Sequence, residues 1–275
     1  MKKSLIGVLL LFLVANAFSA MKKTGWEIEE LKGKVKEKLQ IDYFIMKMGA
    51  EDARGIKKKS VDKYDDKGNK LEGISYDAND DLTGKYTWKY DDKGNFIERT
   101  GYNGKGDLTG ACLCKYDDKG NRIEQTVHNA KGDLISKYVC KYDDKGNMLE
   151  LASYNAKGDL KAKYLWKYDD KGVETEKSDY NANAELTGRY LWKYDDKGNR
   201  VEQAGYNAKG DLTGKCLWKY DDKNNRLEET DYDANGNVLC KYIWKFDNQG
   251  NRLEKTTCDG KGVSTEISTF SYKYY

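Results

Sequence analysis

The sequence predicts an all-β protein: an antiparallel β-meander repeat array of 26-residue units with two strands each, coiled into a twisted or curled sheet behind a short N-terminal capping helix. Three observations support this class. Tyrosine recurs every 26 residues, two glycine-containing turn sequences alternate within each unit, and aromatic residues alternate with charged or aliphatic ones between the turns. The chain is 35% charged, but its 22 Tyr and 6 Trp argue against disorder, because disordered segments are poor in aromatic residues.

The first 17 residues predict a secretory signal peptide. Lys2 and Lys3 precede an apolar run from Leu5 to Val14, and Ala15-Asn16-Ala17 matches a cleavage signal of small residues. The apolar run is short for a bilayer, and no later segment is apolar enough to predict a membrane span. Without the two lysines the mature chain is close to neutral, so nucleic acid is not an expected partner. We therefore expect a secreted, periplasmic or cell-surface protein.

An N-terminal cap and first strand are predicted for residues 18–60, ahead of the repeat array at 61–275. Thr24 and Glu27 have capping-box spacing, and Gly33 is suited to end a short helix. The strand that follows carries alternating apolar residues, which are Leu39, Ile41, Tyr43 and Ile45. Such a segment would cover the leading edge of the array, as repeat proteins require for solubility.

The repeat unit is marked by an aromatic residue followed by a turn. The aromatic positions are Tyr64, Tyr90, Tyr116, Tyr142, Tyr168, Tyr194, Tyr220, Phe246 and Tyr272. Two turn sequences, "YDDKGN" and "YNAKGD", alternate along the chain, and both fit a type I turn closed by a left-handed glycine. Each unit is therefore predicted to hold two strands and two tight turns.

The two faces of the predicted sheet differ in chemistry. Pairing the strand "YLWKY", which begins at Tyr190, with the next one sets Val201 opposite Trp192 and Glu202 opposite Leu191, so one face is aromatic and the other a Glu and Lys lattice. The even period keeps this assignment from unit to unit. The lattice glutamates are Glu72, Glu98, Glu124, Glu150, Glu176, Glu202, Glu228 and Glu254. Eight equivalent carboxylates favour cross-strand partners for lysine over a catalytic site.

This pattern resembles the YD-repeat family, also called RHS repeats, in which a Tyr-Asp-x-x-Gly turn alternates with short strands. The resemblance covers residues 64–275, and "YDANGNVLCKYIWKFDNQGNRLEKT" from Tyr232 to Thr256 carries it best. It implies an extracellular or surface-associated protein, since members of that family are found there and some build curled β shells around toxins.

The six cysteines are predicted to be buried thiols. Cys114 and Cys140 lie one unit apart, about 10 Å, which is too far for a disulfide. Cys240 and Cys258 fall on opposite faces of neighbouring strands. The cysteines predicted on the aromatic face are Cys112, Cys114, Cys140, Cys216 and Cys240.

No catalytic residue, metal site or cofactor is predicted. His128 is the only histidine, and it stands beside a turn in the column held by Tyr102, Tyr154 and Tyr206. The segment from Asp231 to Asn237 matches the start of an EF-hand loop, but Tyr242 occupies the position of its final glutamate. We therefore predict a non-enzymatic protein.

The predicted function is binding of a glycan or another surface polymer through aromatic ladders. The alternative is a structural or adhesive scaffold that meets a protein partner, or itself, through the same face. The binding residues are predicted at the C-terminal end, where no following unit would cover them, and they are Trp244, Phe270, Tyr272 and Tyr274.

Overall fold

The computed structural model describes residue 27 and residues 29–48 and 51–275 of the 275-residue chain. The predicted signal peptide lies outside the described residues, as do Thr24 and the first turn of the predicted capping helix. The second half of that prediction is wrong, because Glu29 and Glu30 form a turn and the chain is extended or bent from there to Lys34. The described part of the chain holds no helix with the length and hydropathy of a membrane span.

Eighteen antiparallel strands form one sheet, one more than the repeat count predicts, because residues 35–64 form a long hairpin of their own. The strands are β1 Val35–Met48, β2 Glu51–Tyr64, β3 Lys70–Tyr76, β4 Leu82–Tyr90, β5 Phe96–Asn103, β6 Leu108–Tyr116, β7 Arg122–Asn129, β8 Leu134–Tyr142, β9 Met148–Asn155, β10 Leu160–Tyr168, β11 Glu174–Asn181, β12 Leu186–Tyr194, β13 Arg200–Asn207, β14 Leu212–Tyr220, β15 Arg226–Asp233, β16 Val238–Phe246, β17 Arg252–Asp259 and β18 Ser264–Tyr274.

The sheet closes into a barrel, whereas the sequence predicts only a twisted or curled sheet. Each strand pairs with its neighbours in sequence, and β1 pairs with β18 as well as with β2. The register advances by two residues for every two strands. Tyr86 lies opposite Gly101, and Gly101 lies opposite Gly110, which is two residues before Cys112, the repeat equivalent of Tyr86. A stagger of about one residue per strand corresponds to strands tilted by roughly 35–45°, the geometry in which a sheet closes on itself.

The predicted strand register is wrong by two residues. Gln203, not Val201, lies opposite Trp192, and Glu202 lies opposite Lys193. One residue of the shift arises from a β-bulge between Lys193 and Tyr194, whose partners Glu202 and Arg200 are two residues apart. The other arises from the turn, which sets Tyr194 opposite Arg200, whereas the predicted register sets it opposite Asn199. Because the shift is even, the predicted division into an aromatic face and a Glu and Lys face is preserved.

The turns hold their shape through reciprocal Asp and Asn pairs. At one end of the barrel Asn121 donates through its backbone N and its Nδ2 to the carboxylate of Asp117, at 2.7 and 2.9 Å. At the other end the roles are exchanged, and Asn129 Nδ2 donates to Asp133 Oδ2 at 2.9 Å. Gly120 has φ +85°, which confirms the predicted left-handed glycine.

Seven of the repeating tyrosines latch one unit to the previous one through a hydrogen bond from the hydroxyl group, whereas Phe246 has no hydroxyl to donate. Tyr142 Oη donates to the carbonyl oxygen of Arg122 at 2.9 Å, and Tyr168 Oη to that of Met148 at 2.9 Å. The same bond recurs round the barrel, and Tyr275 Oη reaches the carbonyl oxygen of Tyr64 at 2.6 Å across the closing strands. The steadiest residue of the repeat therefore has a structural role.

A ring of lysine–glutamate pairs encircles the outer wall. The Nζ–Oε distances lie between 2.6 and 3.1 Å, and the pair of Lys273 with Glu37 continues the ring across the β18–β1 closure. This geometry confirms the predicted lysine partners of the glutamate column. Exposed pairs of this kind each contribute about 0–1 kcal/mol.

Candidate functional site on the inner wall

The aromatic face of the sheet forms the inner wall of the barrel. Each even-numbered strand from β4 to β16 places two residues, two positions apart, on this wall. The first of these positions forms a column that we call the tyrosine column, and the second forms the tryptophan column. The tyrosine column consists of Tyr86, Cys112, Tyr138, Tyr164, Tyr190, Cys216 and Tyr242, and the tryptophan column of Trp88, Cys114, Cys140, Trp166, Trp192, Trp218 and Trp244. Eighteen strands enclose a space about 30 Å across between opposite backbones, which is too wide for side chains to fill.

The strands between these columns supply polar partners for the rings. Trp192 Nε1 donates to Gln203 Oε1 at 2.9 Å, and the Arg200 guanidinium lies 4.6 Å from the centre of the Trp192 ring. Lys177 is buried among three rings, 4.5 Å from the centroid of Tyr164 and 5.2 Å from that of Tyr190. Such cation–π contacts occupy ring faces that a ligand would otherwise use.

One part of the inner wall is apolar and buried. Cys140, Met148, Leu151 and Trp166, which we call the apolar cluster, pack together on β8–β10 with half-buried tyrosines around them. Beside it burial raises the pKa of Glu174, against the opposing charges of Arg200 and Lys177. Burial also raises the pKa of Tyr164 to about 12. This side of the wall is closed to a ligand.

The inner wall is open on β3–β5. Tyr86 is 45% exposed, and Arg99, whose guanidinium lies 5.1 Å from the Tyr86 ring centre, is exposed as well. Gly73 and Gly101 lie opposite Tyr86 on the two neighbouring strands. A Cβ at Gly101 would come within 3.0 Å of the Tyr86 ring, so glycine there lets the ring lie flat against the sheet. We call Tyr86, Trp88 and Arg99, with the two glycines, the open patch.

The predicted C-terminal binding site requires an end of the sheet that no other strand covers, and the structure has no such end there. Because β18 pairs with β1, the last strand is not an uncovered end. Trp244 is 6% exposed, and Arg226 and Lys255 lie over its ring at 4.5 and 5.8 Å from the centroid.

The other three predicted binding residues lie on the same closing strand. Phe270 and Tyr272 are half-buried, and Tyr272 Oη donates to the Arg252 carbonyl at 2.6 Å. Tyr274 is 40% exposed, and its hydroxyl accepts a hydrogen bond from Asn251 Nδ2 at 3.0 Å. The four residues share the inner wall, but the reason for choosing them is wrong.

The cysteine predictions are confirmed in their placement. All six thiols are free, and four of them are buried. Lys241 lies opposite Cys258, which puts Cys258 on the outer wall, whereas Cys240 lies on the inner wall opposite Asp231.

The other residues singled out in the sequence have structural surroundings. His128 lies beside a turn, with Nδ1 3.1 Å from the Gly132 carbonyl oxygen and Nε2 3.0 Å from Thr126 Oγ1. The EF-hand-like segment is an ordinary hairpin turn, in which the Asp233 carboxylate accepts bonds from Asn235 and Asn237 at 2.8 and 2.9 Å.

One group of side chains in the described part of the chain could hold a metal ion. Ligand atoms of Cys216, Glu229 and Asp231 lie within 4.8 Å of one another, and Cys240 adjoins them. We call these four residues the cysteine–carboxylate cluster. Sequence reasoning missed it because its members lie on three strands. The available signal was that two cysteines depart from the repeat within one unit's length, with two carboxylates at variable positions between them.

These features define a class: a closed, 18-stranded antiparallel β-barrel with a polar and aromatic inner wall. No protein family and no curated protein sequence matches the chain. Several solved structures are similar to it at low identity, among them a porin-like protein, a toxin pore and a DUF1329 family protein. The porin-like protein is from Bacteroides uniformis and is 9% identical, with a TM-score of 0.44, over 88% of this chain and 99% of that one.

The other two are more distant in shape. The Photorhabdus luminescens Tc holotoxin pore is 11% identical, with a TM-score of 0.36, over 84% of this chain and 14% of that one. A DUF1329 family protein from Desulfovibrio piger is 10% identical, with a TM-score of 0.29, over 87% of this chain and 86% of that one.

Proposed function

We propose that this protein is an exported, non-enzymatic binding protein whose barrel receives a glycan chain or a comparable polar polymer against its inner wall. The observation that carries this proposal is the open patch, where Tyr86 and Arg99 are exposed although they point into the barrel. A sugar ring carries C–H groups on its face and hydroxyl groups at its edge. An aromatic side chain such as Tyr86 can stack on the C–H groups, and a neighbouring guanidinium such as that of Arg99 can donate hydrogen bonds to the hydroxyls.

The location of the patch distinguishes it from the rest of the wall. Tyr190 is the repeat equivalent of Tyr86 and has Gly205 on one side, but Lys177 stands on the other side where Tyr86 has Gly73. Lys177 covers the Tyr190 ring at 5.2 Å and leaves it half-buried. Among the described tyrosines of the tyrosine column, only Tyr86 on β4 has small residues on both sides and an exposed cation beside its ring.

The scaffold alternative has less support in this geometry. Self-association through the aromatic face would need that face on the outside, whereas the outer wall carries the lysine–glutamate ring. Export to the periplasm, the cell surface or the medium remains part of the proposal, resting on the first 17 residues and on the resemblance to YD repeats.

The test is a glycan array probed with the mature chain, with Tyr86→Ala and Tyr190→Ala as a matched pair. Tyr86→Ala should weaken binding of any captured glycan at least tenfold, with little change in melting temperature because the ring is partly exposed. Tyr190→Ala should lower the melting temperature more and leave binding within about twofold. Binding that survives Tyr86→Ala and Arg99→Ala would place the ligand elsewhere, and a chain that captures no glycan would refute the function.

A further inference from the structure

The two cysteines of the cysteine–carboxylate cluster replace residues that the repeat favours, and its two carboxylates stand at variable inner-wall positions between them. Cys216 stands in the tyrosine column, where five of the seven members are tyrosine. Cys240 stands where the repeat usually has glycine, as at Gly188 and Gly214. Between them lies Asp231, which is opposite Cys216 on one side and opposite Cys240 on the other. The departures therefore converge on a single carboxylate.

The side chains of this cluster face one another at short range. One ligand atom from each of Cys216, Glu229 and Asp231 lies within 4.8 Å of the others. Cys240 Sγ is 3.2 Å from Asp231 Oδ2 and 3.3 Å from Tyr242 Oη. All four members are half-buried on the inner wall, which leaves them within reach of a small ion.

Neighbouring groups fix the orientation of Glu229. Trp218 Nε1 donates to Glu229 Oε2 at 2.9 Å, and Arg226 lies 3.0 Å from the same oxygen. Outer partners of this kind orient a ligating carboxylate and tune its affinity for a metal. They also offset part of the negative charge that two carboxylates and two thiolates would bring together.

We propose that Cys216, Asp231 and Glu229, completed by Cys240, bind a thiophilic divalent cation of the zinc type. Zinc takes four ligands from thiolate and carboxylate groups, at about 2.3 Å for sulfur and about 2.0–2.2 Å for oxygen. A tetrahedron of that size separates its ligand atoms by roughly 3.3–3.8 Å, so the three ligand atoms within 4.8 Å of one another need to move by only about 1 Å. A rotation of the Cys240 side chain, whose Sγ is already 3.2 Å from Asp231 Oδ2, would supply the fourth ligand. Thiolate ligands select against calcium and magnesium, which prefer oxygen alone.

A disulfide is not an alternative use of these two cysteines. Cys216 and Cys240 lie on β14 and β16, with β15 between them. Strands two places apart are separated by about 10 Å, whereas the Cα atoms of a disulfide lie within about 7 Å of each other. The site goes beyond the proposed polymer binding and stands on different strands from the open patch.

The experiment uses the reduced, metal-free mature chain titrated with cobalt chloride and then with zinc chloride. The thiolate-to-cobalt absorption should increase until one equivalent of cobalt has been added, and it should disappear when zinc replaces the cobalt. Cys216→Ser and Asp231→Asn should each weaken cobalt binding by at least about 100-fold. Cys112→Ser and Cys114→Ser, which alter thiols elsewhere on the inner wall, should leave the titration unchanged.

Circular dichroism of each variant checks that the barrel has folded, and Cys240→Ala offers a second, smaller change at the site. The proposal is overturned if the parent chain shows no thiolate-to-cobalt absorption. It is equally overturned if the absorption persists when Cys216 and Cys240 are both replaced by serine, or if Cys112→Ser removes it. Glycan capture by the open patch is measured separately and does not depend on either result.

Discussion

The apolar cluster on β8–β10 and the cysteine–carboxylate cluster on β14–β16 stand three units apart on the same scaffold. Leu151 is the repeat equivalent of Glu229, and Met148 is the repeat equivalent of Arg226. In the apolar cluster Met148 and Leu151 pack against Trp166. In the other region Arg226 and Glu229 form an ion pair of 3.0 Å, and the Arg226 guanidinium lies over the Trp244 ring. The backbone pairing is the same in both, so the difference lies in side chains alone.

The comparison shows how a repeat protein can separate stability from chemistry. The turns, the latching tyrosines and the outer ring repeat in both regions and hold the strands in register. Inner-wall positions are then free to differ, because each contributes to packing only with its neighbours. One region uses that freedom for a buried cluster and the other for a group of ligating atoms.

The largest effect is expected from removing strands. Deleting residues 143–168 or residues 221–246 removes one unit and leaves sixteen strands, whose first and last members still pair antiparallel. Both variants should fold, and the first should melt at a lower temperature because it loses Met148, Leu151 and Trp166. Melting followed by circular dichroism measures this difference.

Deleting residues 143–155 supplies the control, since it removes β9 alone. Seventeen strands would bring β1 and β18 together in parallel, so the closing pair should be lost. Cooperative melting of this variant at the temperature of the two unit deletions would contradict the closed barrel.

A smaller effect is expected from exchanging the two chemistries. Leu151→Glu puts an unpaired carboxylate beside Met148 and Trp166, which should cost about 3–5 kcal/mol of unfolding free energy. Adding Met148→Arg recreates the arrangement of Arg226 and Glu229 and should recover at least about 1 kcal/mol. Denaturant unfolding of both variants gives these values.

The reverse exchange, Glu229→Leu, should change stability by less than Leu151→Glu, because it removes a charge from a half-buried place. Equal costs for the two exchanges would mean that the inner wall is equally wet at β9 and β15, and the distinction between the regions would fail.

The smallest effect is expected on the outer wall, where the two regions differ in the partners of the repeated glutamate. Thr230 Oγ1 donates to Glu228 at 3.3 Å, whereas Ala152 stands at the equivalent position of the first region. Glu150 pairs with Lys141 at 2.9 Å, whereas Glu228 pairs with both Lys219 and Lys241 at 3.1 and 2.8 Å. Glu228→Gln should therefore cost more than Glu150→Gln, and each should cost under about 1 kcal/mol at pH 7.

The pH dependence of the Glu228 contribution has a definite sign. Burial alone would raise the pKa of Glu228, but hydrogen bonds and charges from Lys241 and Lys219 outweigh it and lower the pKa. Its contribution to stability is therefore present above the unfolded pKa of about 4.3 and is lost as the pH falls through the lower folded value. Unfolding free energies at pH 7 and pH 3 should show the gap between parent and Glu228→Gln closing, and an unchanged gap would refute it.

Much of the local structure follows from the sequence. The turn residues around Gly120 and Gly132, the strand length between them and the even period predict the strands and their two faces. Even where the turn lacks glycine, Asp80, Ala184 and Asn224 adopt φ between 60° and 67°, so the repeat imposes the turn geometry. The lysine–glutamate pairs and the buried thiols follow from the same alternation.

Only the tertiary structure decided the closure, the exact register and the location of the open patch. Closure depends on pairing β1 with β18, from opposite ends of the described chain, and on a stagger that accumulates over all the strands. The bulge at Lys193 and Tyr194 and the extra turn residue together change partners without changing faces, so alternation cannot reveal them. Tyr86 is open and Trp244 is covered because of residues on neighbouring strands, and a periodic sequence specifies which side chains share a wall but not which of them are left uncovered.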